Sequence, residues 1–150
     1  MIINSFLQRI RLIFLFLTFS LLIHFGNAQS HFDLKVRVTN LDNNRGVVQL
    51  GLYNTATKFP KVGKTYKMVR LKLEGSQRVY TFKDIPRGRY ALAIYHDMND
   101  NRTCDTNFFG VPTEAYAFSN NVRPRFSSPS FQSCSFLLDG QREVKIKMVY

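Results

Sequence analysis

The chain has 150 residues, 45% of them hydrophobic and 14% aromatic, with no Trp and only two Cys. Its 21 basic residues outweigh 10 acidic ones, a formal net charge of +11. This is too apolar for a disordered chain and too short for several domains, and the charge directs attention to anionic partners.

Residues 1–28 read as a signal peptide. Arg9 and Arg11 form a basic start, residues 12–25 are an apolar run, and Gly26-Asn27-Ala28 supplies the small residues of a cleavage site before Gln29. The run is shorter than the ~20 residues a spanning helix needs. We therefore expect an exported chain, periplasmic or extracellular in the cell envelope, with no transmembrane segment after cleavage and one β domain over residues 29–150. Losing Arg9 and Arg11 takes the 21 basic residues to 19 against an unchanged 10 acidic, about +9. An anionic envelope polymer, surface or glycan would fit that charge better than nucleic acid. A solvated basic sheet face is the alternative.

From Phe32 onward the pattern is strand after strand. Phe32, Leu34, Val36 and Val38 alternate with Asp33, Lys35, Arg37 and Thr39, which gives a strand one dry face. The Asn-rich stretch ending at Gly46 predicts a turn, and residues 47–53 the second strand. Residues 54–63 read as a connection. Residues 65–73 follow as a strand, with Glu74-Gly75-Ser76-Gln77 closing a hairpin into residues 78–83. At Ile85-Pro86-Arg87-Gly88-Arg89-Tyr90, Gly88 is expected to supply a positive backbone angle, and Tyr90 a hydroxyl that bonds back to the backbone. Residues 91–95 are the next strand. Residues 131–138 and 142–149 read as a final hairpin around Asp139-Gly140. The total is about seven strands and no amphipathic helix after residue 28, so we predict an all-β, antiparallel β-sandwich.

Between the last hairpin and the strand before it lies a long segment rich in Asn and Asp. Asp97, Asn99, Asn101 and Asp105 place side-chain oxygens at alternating positions, as loops that wrap a hard cation do. Arg102 stands where an EF-hand loop needs Gly, and Phe108 where it needs a bidentate Glu, so the EF-hand version is excluded. A shorter calcium loop remains, with weak affinity of roughly 10⁻⁴ to 10⁻³ M. Equally, Asn and Asp fold onto their own backbone, and such a loop can be self-bonded without metal. Cys104 and Cys134 either form a disulfide, as an oxidising compartment allows, or remain free thiols.

The second half of the segment sets Tyr116, Phe118, Phe126 and Phe131 among Ser119, Asn120, Asn121, Arg123 and Arg125. Stacking faces beside amides and guanidiniums are what a glycan groove requires; anchoring the loop to the core is the competing role. His96, beside Asp97, and Glu114, near Asp105, are the residues an enzyme would use. No Ser or Cys nucleophile has a supporting motif, and His96 reads better as a hydrogen-bonded loop anchor.

The Ile85 to Tyr90 run resembles the corner of prealbumin-like and carboxypeptidase-regulatory-like sandwiches. Taken together, several motifs resemble the exported bacterial family called domain of unknown function 2141. They are Leu52-Tyr53, Pro86 to Tyr90, His96 to Asn101, Asp105-Thr106-Asn107 with Gly110 and Pro112, and Tyr116 to Asn121. Arg102 and Ala117 depart from it, each standing where the family usually has Gly. The resemblance implies a sandwich with an immunoglobulin-like or prealbumin-like Greek key and an envelope location, and brings no established activity. The expectation is a binding or accessory module, with a prealbumin-like small-molecule hydrolase using His96 as the runner-up.

Overall fold

A computed structural model describes Arg11 and residues 29–42, 45–124 and 127–150. The expected signal segment, Arg11 apart, lies outside the described residues, as do Arg125 and Phe126. Among the residues from 29 onward that the structure describes, eight strands form: β1 (His31–Thr39), β2 (Val47–Tyr53), β3 (Lys67–Lys72), β4 (Gln77–Pro86), β5 (Gly88–Asp97), β6 (Tyr116–Phe118), β7 (Phe136–Leu138) and β8 (Arg142–Lys147). A 3-10 turn, Ser119–Asn121, and a short helix, α1 (Phe131–Cys134), accompany them. Among the described residues no helix is long and apolar enough to cross a membrane.

The strands make two packed sheets, and the chain is the all-β sandwich its alternation predicts. One sheet runs β4-β1-β8 and the other β3-β2-β5-β6, with β7 pairing the start of β5. Every pairing is antiparallel except β1 with β8, which run parallel from Leu34 opposite Arg142 to Thr39 opposite Lys147. Arg37 and Glu143 bond at 2.7 Å across that parallel pair. The alternating apolar positions meet between the sheets. Leu34, Val36 and Val38 of β1 and Val144 and Ile146 of β8 share one core with Val48, Leu50 and Leu52 of β2 and Leu92 and Ile94 of β5. Each such side chain, fully buried, stabilises the fold by about 1.5–3 kcal/mol.

Several local expectations are corrected. β3 pairs with β2 while β4 pairs with β1, so the turn at residues 74–77 crosses between sheets and closes no hairpin. The Asp139-Gly140 turn does the same, since β7 pairs with β5 and β8 with β1. Residues 131–134 are helical rather than extended. Ser130 caps them, its Oγ accepting from the Ser133 N–H. Gly88 lies in β5, and the positive angle near this corner belongs to Asp84, φ 55°. The Tyr90 hydroxyl does donate to the Pro86 carbonyl at 2.8 Å.

Two features set up the site. The small sheet is stitched to the large one at the chain's end: Met148 N–H donates to Thr39 of β1, and Val149 exchanges two backbone bonds with Tyr116 of β6. The central strands β2 and β5 are buried on both faces, not one. A strand covered on its outer face needs something lying over it. Here the cover is the Asn- and Asp-rich segment at the Asp97 end, and Phe59 with Phe131 and Cys134 of α1 at the Tyr53 and Ala91 end.

Candidate functional site

The segment is held by its carboxylates. Asp97, the last residue of β5, is fully buried and accepts from Arg70 Nη2 at 2.8 Å, Asn101 N–H at 3.0 Å and Arg102 N–H at 2.8 Å. Burial works against its charge. The Arg70 guanidinium and the two backbone donors outweigh it and hold the carboxyl below the ordinary carboxylate range. Arg70 also donates to Gln49 Oε1 at 2.9 Å and to Asp100. Glu114, also buried, bridges the segment's two ends: it accepts from Met98 N–H at 2.9 Å and Asp105 N–H at 3.1 Å.

Asn99, Asn101 and Asp105 form a separate knot. Asn99 Oδ1 accepts from Asn101 N–H, and Asn101 Oδ1 from the Thr103 N–H and hydroxyl. Those backbone donors fix which end of each amide is oxygen. Both NH₂ groups then point at the Asp105 carboxylate, at 2.8 and 2.9 Å. Asp97 faces Arg70 and meets this knot only at the Asn101 N–H, which it shares with Asn99 Oδ1. The side-chain oxygens of the four residues of the expected cation loop are thus engaged by Arg70 and by donors of the segment itself. Among the described residues no group of three or more His, Cys, Asp or Glu is placed to hold a metal.

His96 is fully buried as an anchor. Its Nε2 lies 2.7 Å from the Arg45 carbonyl, which can only accept, so Nε2 carries the proton. Nδ1 is 3.3 Å from the Tyr150 hydroxyl, which in turn accepts from Asp42 N–H. Both ring nitrogens are committed. Gly46 seats the turn beside them: at φ +72° it lies so near Asp97 that a Cβ would stand 2.2 Å from the Asp97 carbonyl oxygen.

Of the expected glycan-binding residues, most serve the fold. Ser119 Oγ is buried, accepting from Leu92 N–H and donating to the Cys134 carbonyl at 2.6 Å. Asn120 donates to Ser133 and Ser135 carbonyls, and Asn121 accepts from Lys147 N–H. Together they pin the turn to α1 and β8. Phe131 packs on Phe59. Arg123 is exposed.

Of the two states open to Cys104 and Cys134, the structure has the free thiols. Cys134 is sealed in a cluster with Tyr53, Phe59 and Ala91, whereas Cys104 faces a pocket beneath the segment. Burial, reinforced by the charges of Glu114, Asp105 and Asp97, pushes the Cys104 thiol up to about 11. Burial raises Cys134 as well.

Tyr116 and Phe118 are the expected residues that do reach a cavity. It lies on the outer face of the larger sheet and holds about 370 Å³. Register explains it. Gln49, Tyr95 and Tyr116 form one cross-strand row, and Gly51, Ala93 and Phe118 the next. The small pair Gly51 and Ala93 hollows the sheet between larger neighbours, and Cys104, Phe109, Val111 and Pro112 wall the hollow. Tyr53 lines it too, its hydroxyl pushed up to about 12 by burial and the neighbouring Tyr95. Among the described residues the buried Tyr95 hydroxyl has no hydrogen-bond partner, although the Arg70 charge is felt there. Among the described residues no Asp, Glu, Lys or Arg lines the pocket. Gly51, Ala93 and Tyr95 carry no local motif; the only trace in the sequence is the loss of alternation along β2 and β5.

Fold and site together define an all-β sandwich domain whose larger sheet carries a loop-covered pocket on its outer face. The chain belongs to the family described as "Uncharacterized protein conserved in bacteria" (DUF2141), which it matches over residues 36–147. No curated protein and no solved structure matches it.

Proposed function

We propose that this chain is an exported, non-catalytic binding module whose ligand is a small, largely apolar molecule held in the outer-face pocket. The observation that carries the reading is the hollow at Gly51 and Ala93, walled by aromatic side chains and by the hydrogen-bonded segment. Its volume, about 370 Å³, lies at the lower end of the range for small-molecule sites. Its lining is more apolar than polar: Gln49, Thr106, Ser127, Ser128 and the hydroxyls of Tyr53, Tyr95 and Tyr116 are set among aromatic and aliphatic side chains, which suits a ring-bearing, largely apolar ligand with a few polar groups. Export is supported by the composition of residues 1–28. The committed nitrogens of His96, and its place outside the pocket lining, weigh against hydrolysis.

The test is titration with a neutral apolar fluorophore such as phenylnaphthylamine. The native protein should give saturable enhancement. Ala93→Phe, which fills the hollow, should abolish it while the melting temperature holds. Equal enhancement in both proteins, or none in the native one, would overturn the pocket reading. Saturable binding of neutral or acidic oligosaccharides in the same pocket would replace the apolar ligand with a glycan.

A further inference from the structure

The most exposed large hydrophobic side chains of the described residues stand side by side at the tip of the segment. Phe108 is 98% and Phe109 84% exposed, their rings 5.5 Å apart edge to face. They are not on a loose loop. Asn107 Oδ1 accepts from both Phe109 N–H and Val111 N–H at 3.0 Å. The Asn107 backbone exchanges with Val111 and Gly110, and Thr106 bridges to Pro112. Gly110, at φ +76°, turns the chain back. The fold therefore spends an Asx turn on holding two phenyl rings in water. Val111 and Val62, each more than half exposed, share the pocket rim with Phe109.

We infer that this tip docks on an anionic lipid surface, with Phe108 and Phe109 entering its apolar layer. Charge complementarity selects that partner. Lys61 and Lys64, both exposed, flank Val62 on the rim, and exposed Arg123 precedes the rim residue Pro124. The acids of the segment are buried or paired: Asp97 and Glu114 are buried, Asp105 is tied to Asn99 and Asn101, and Asp100, though exposed, is paired with Arg70. The excess of basic over acidic residues, 19 against 10 once Arg9 and Arg11 are taken from the 21, adds long-range attraction to a negative surface. A convex tip of four apolar residues falls well short of the roughly 800 Å² per partner of a stable protein interface. It does suit shallow insertion between lipid headgroups. The tip stands independently of what the pocket holds.

The experiment is co-sedimentation of the native protein and Phe108→Asp with vesicles of phosphatidylcholine and phosphatidylglycerol, and with phosphatidylcholine alone. Phe108 lies outside the pocket lining and packs on nothing but its neighbour, so the variant should melt with the native protein and bind the fluorophore unchanged. We expect native sedimentation only with anionic vesicles, weakening as salt rises. Phe108→Asp should lose about tenfold in partitioning or more, and Lys61→Glu with Lys64→Glu a similar factor. No sedimentation by the native protein would overturn the inference. So would equal sedimentation by Phe108→Asp. Retained fluorophore binding in that event would leave the pocket reading standing.

Discussion

Arg70 and Asp97 bond at 2.8 Å although their strands are not neighbours: β3 and β5 are separated by β2, and the guanidinium reaches across Gln49 to make the contact. Asp97 is completely buried and Arg70 partly so, its side chain 19% exposed. Removing one partner of such a pair leaves the other uncompensated, at a cost of about 3–5 kcal/mol. Arg70→Ala should fall in that range in urea denaturation. A loss under about 1 kcal/mol would show that the two backbone donors suffice for Asp97.

The same pair sets an acid dependence. The Asp97 carboxyl titrates lower in the folded chain than in the unfolded one, where about 3.9 is ordinary. Its contribution is therefore complete above that value and is lost as the pH falls below it toward the folded value. Replacing the carboxylate with Asn should flatten the stability profile below about pH 4. An unchanged slope would place the acid sensitivity elsewhere.

Arg102 occupies the left-handed region, φ +68°, where a side chain costs roughly 1 kcal/mol or more. Its own side chain is exposed, and its N–H bond to Asp97 does not need it. Arg102→Gly should raise stability by about 0.5–1 kcal/mol in thermal melting. A decrease would mean that the arginine side chain holds the segment in place.

Because Asn99 and Asn101 already turn their amide nitrogens toward Asp105, millimolar calcium or chelator should leave the melting temperature where it is. Asn101→Ala, by contrast, frees the Thr103 N–H and one Asp105 oxygen and should cost about 1–2 kcal/mol. A calcium-dependent rise in melting temperature would show that the amides can invert and that the segment is a cation site.

The thiols should prove inert. With Cys104 at about 11 and Cys134 fully buried, neither supplies appreciable thiolate at pH 8. Iodoacetamide should label both slowly in the folded protein and quickly in urea. Recovery of a Cys104–Cys134 disulfide peptide from protein made under oxidising conditions would contradict the separation of the two sites.

What could be read from residues alone was the alternation of β1 and β8, where one face stays wet, and the Asx chemistry of Asn99 and Asn101. Pairing partners were hidden. The turns at Gly75 and Gly140 look like hairpin turns because they are short, yet each hands the chain from one sheet to the other, and that depends on the whole packing. β6 has three residues, too few for any period to show. α1 did carry a signal, the Ser130 cap, but Phe131 and the following run of small residues fit an extended pattern equally well. The pocket was least visible. Gly51 and Ala93 are far apart in sequence, and only the register of β2 against β5 makes them one hollow.

The parallel pairing of β1 with β8 has a consequence for biogenesis. The Arg37–Glu143 bond joins positions 106 residues apart, so the small sheet lacks an edge strand until β8 has been made. Contacts of such long sequence separation make folding slow and discourage any stable half-structure. A nascent chain of this design stays open until its last strand arrives. An export channel that accepts only unfolded polypeptide would therefore find it still threadable.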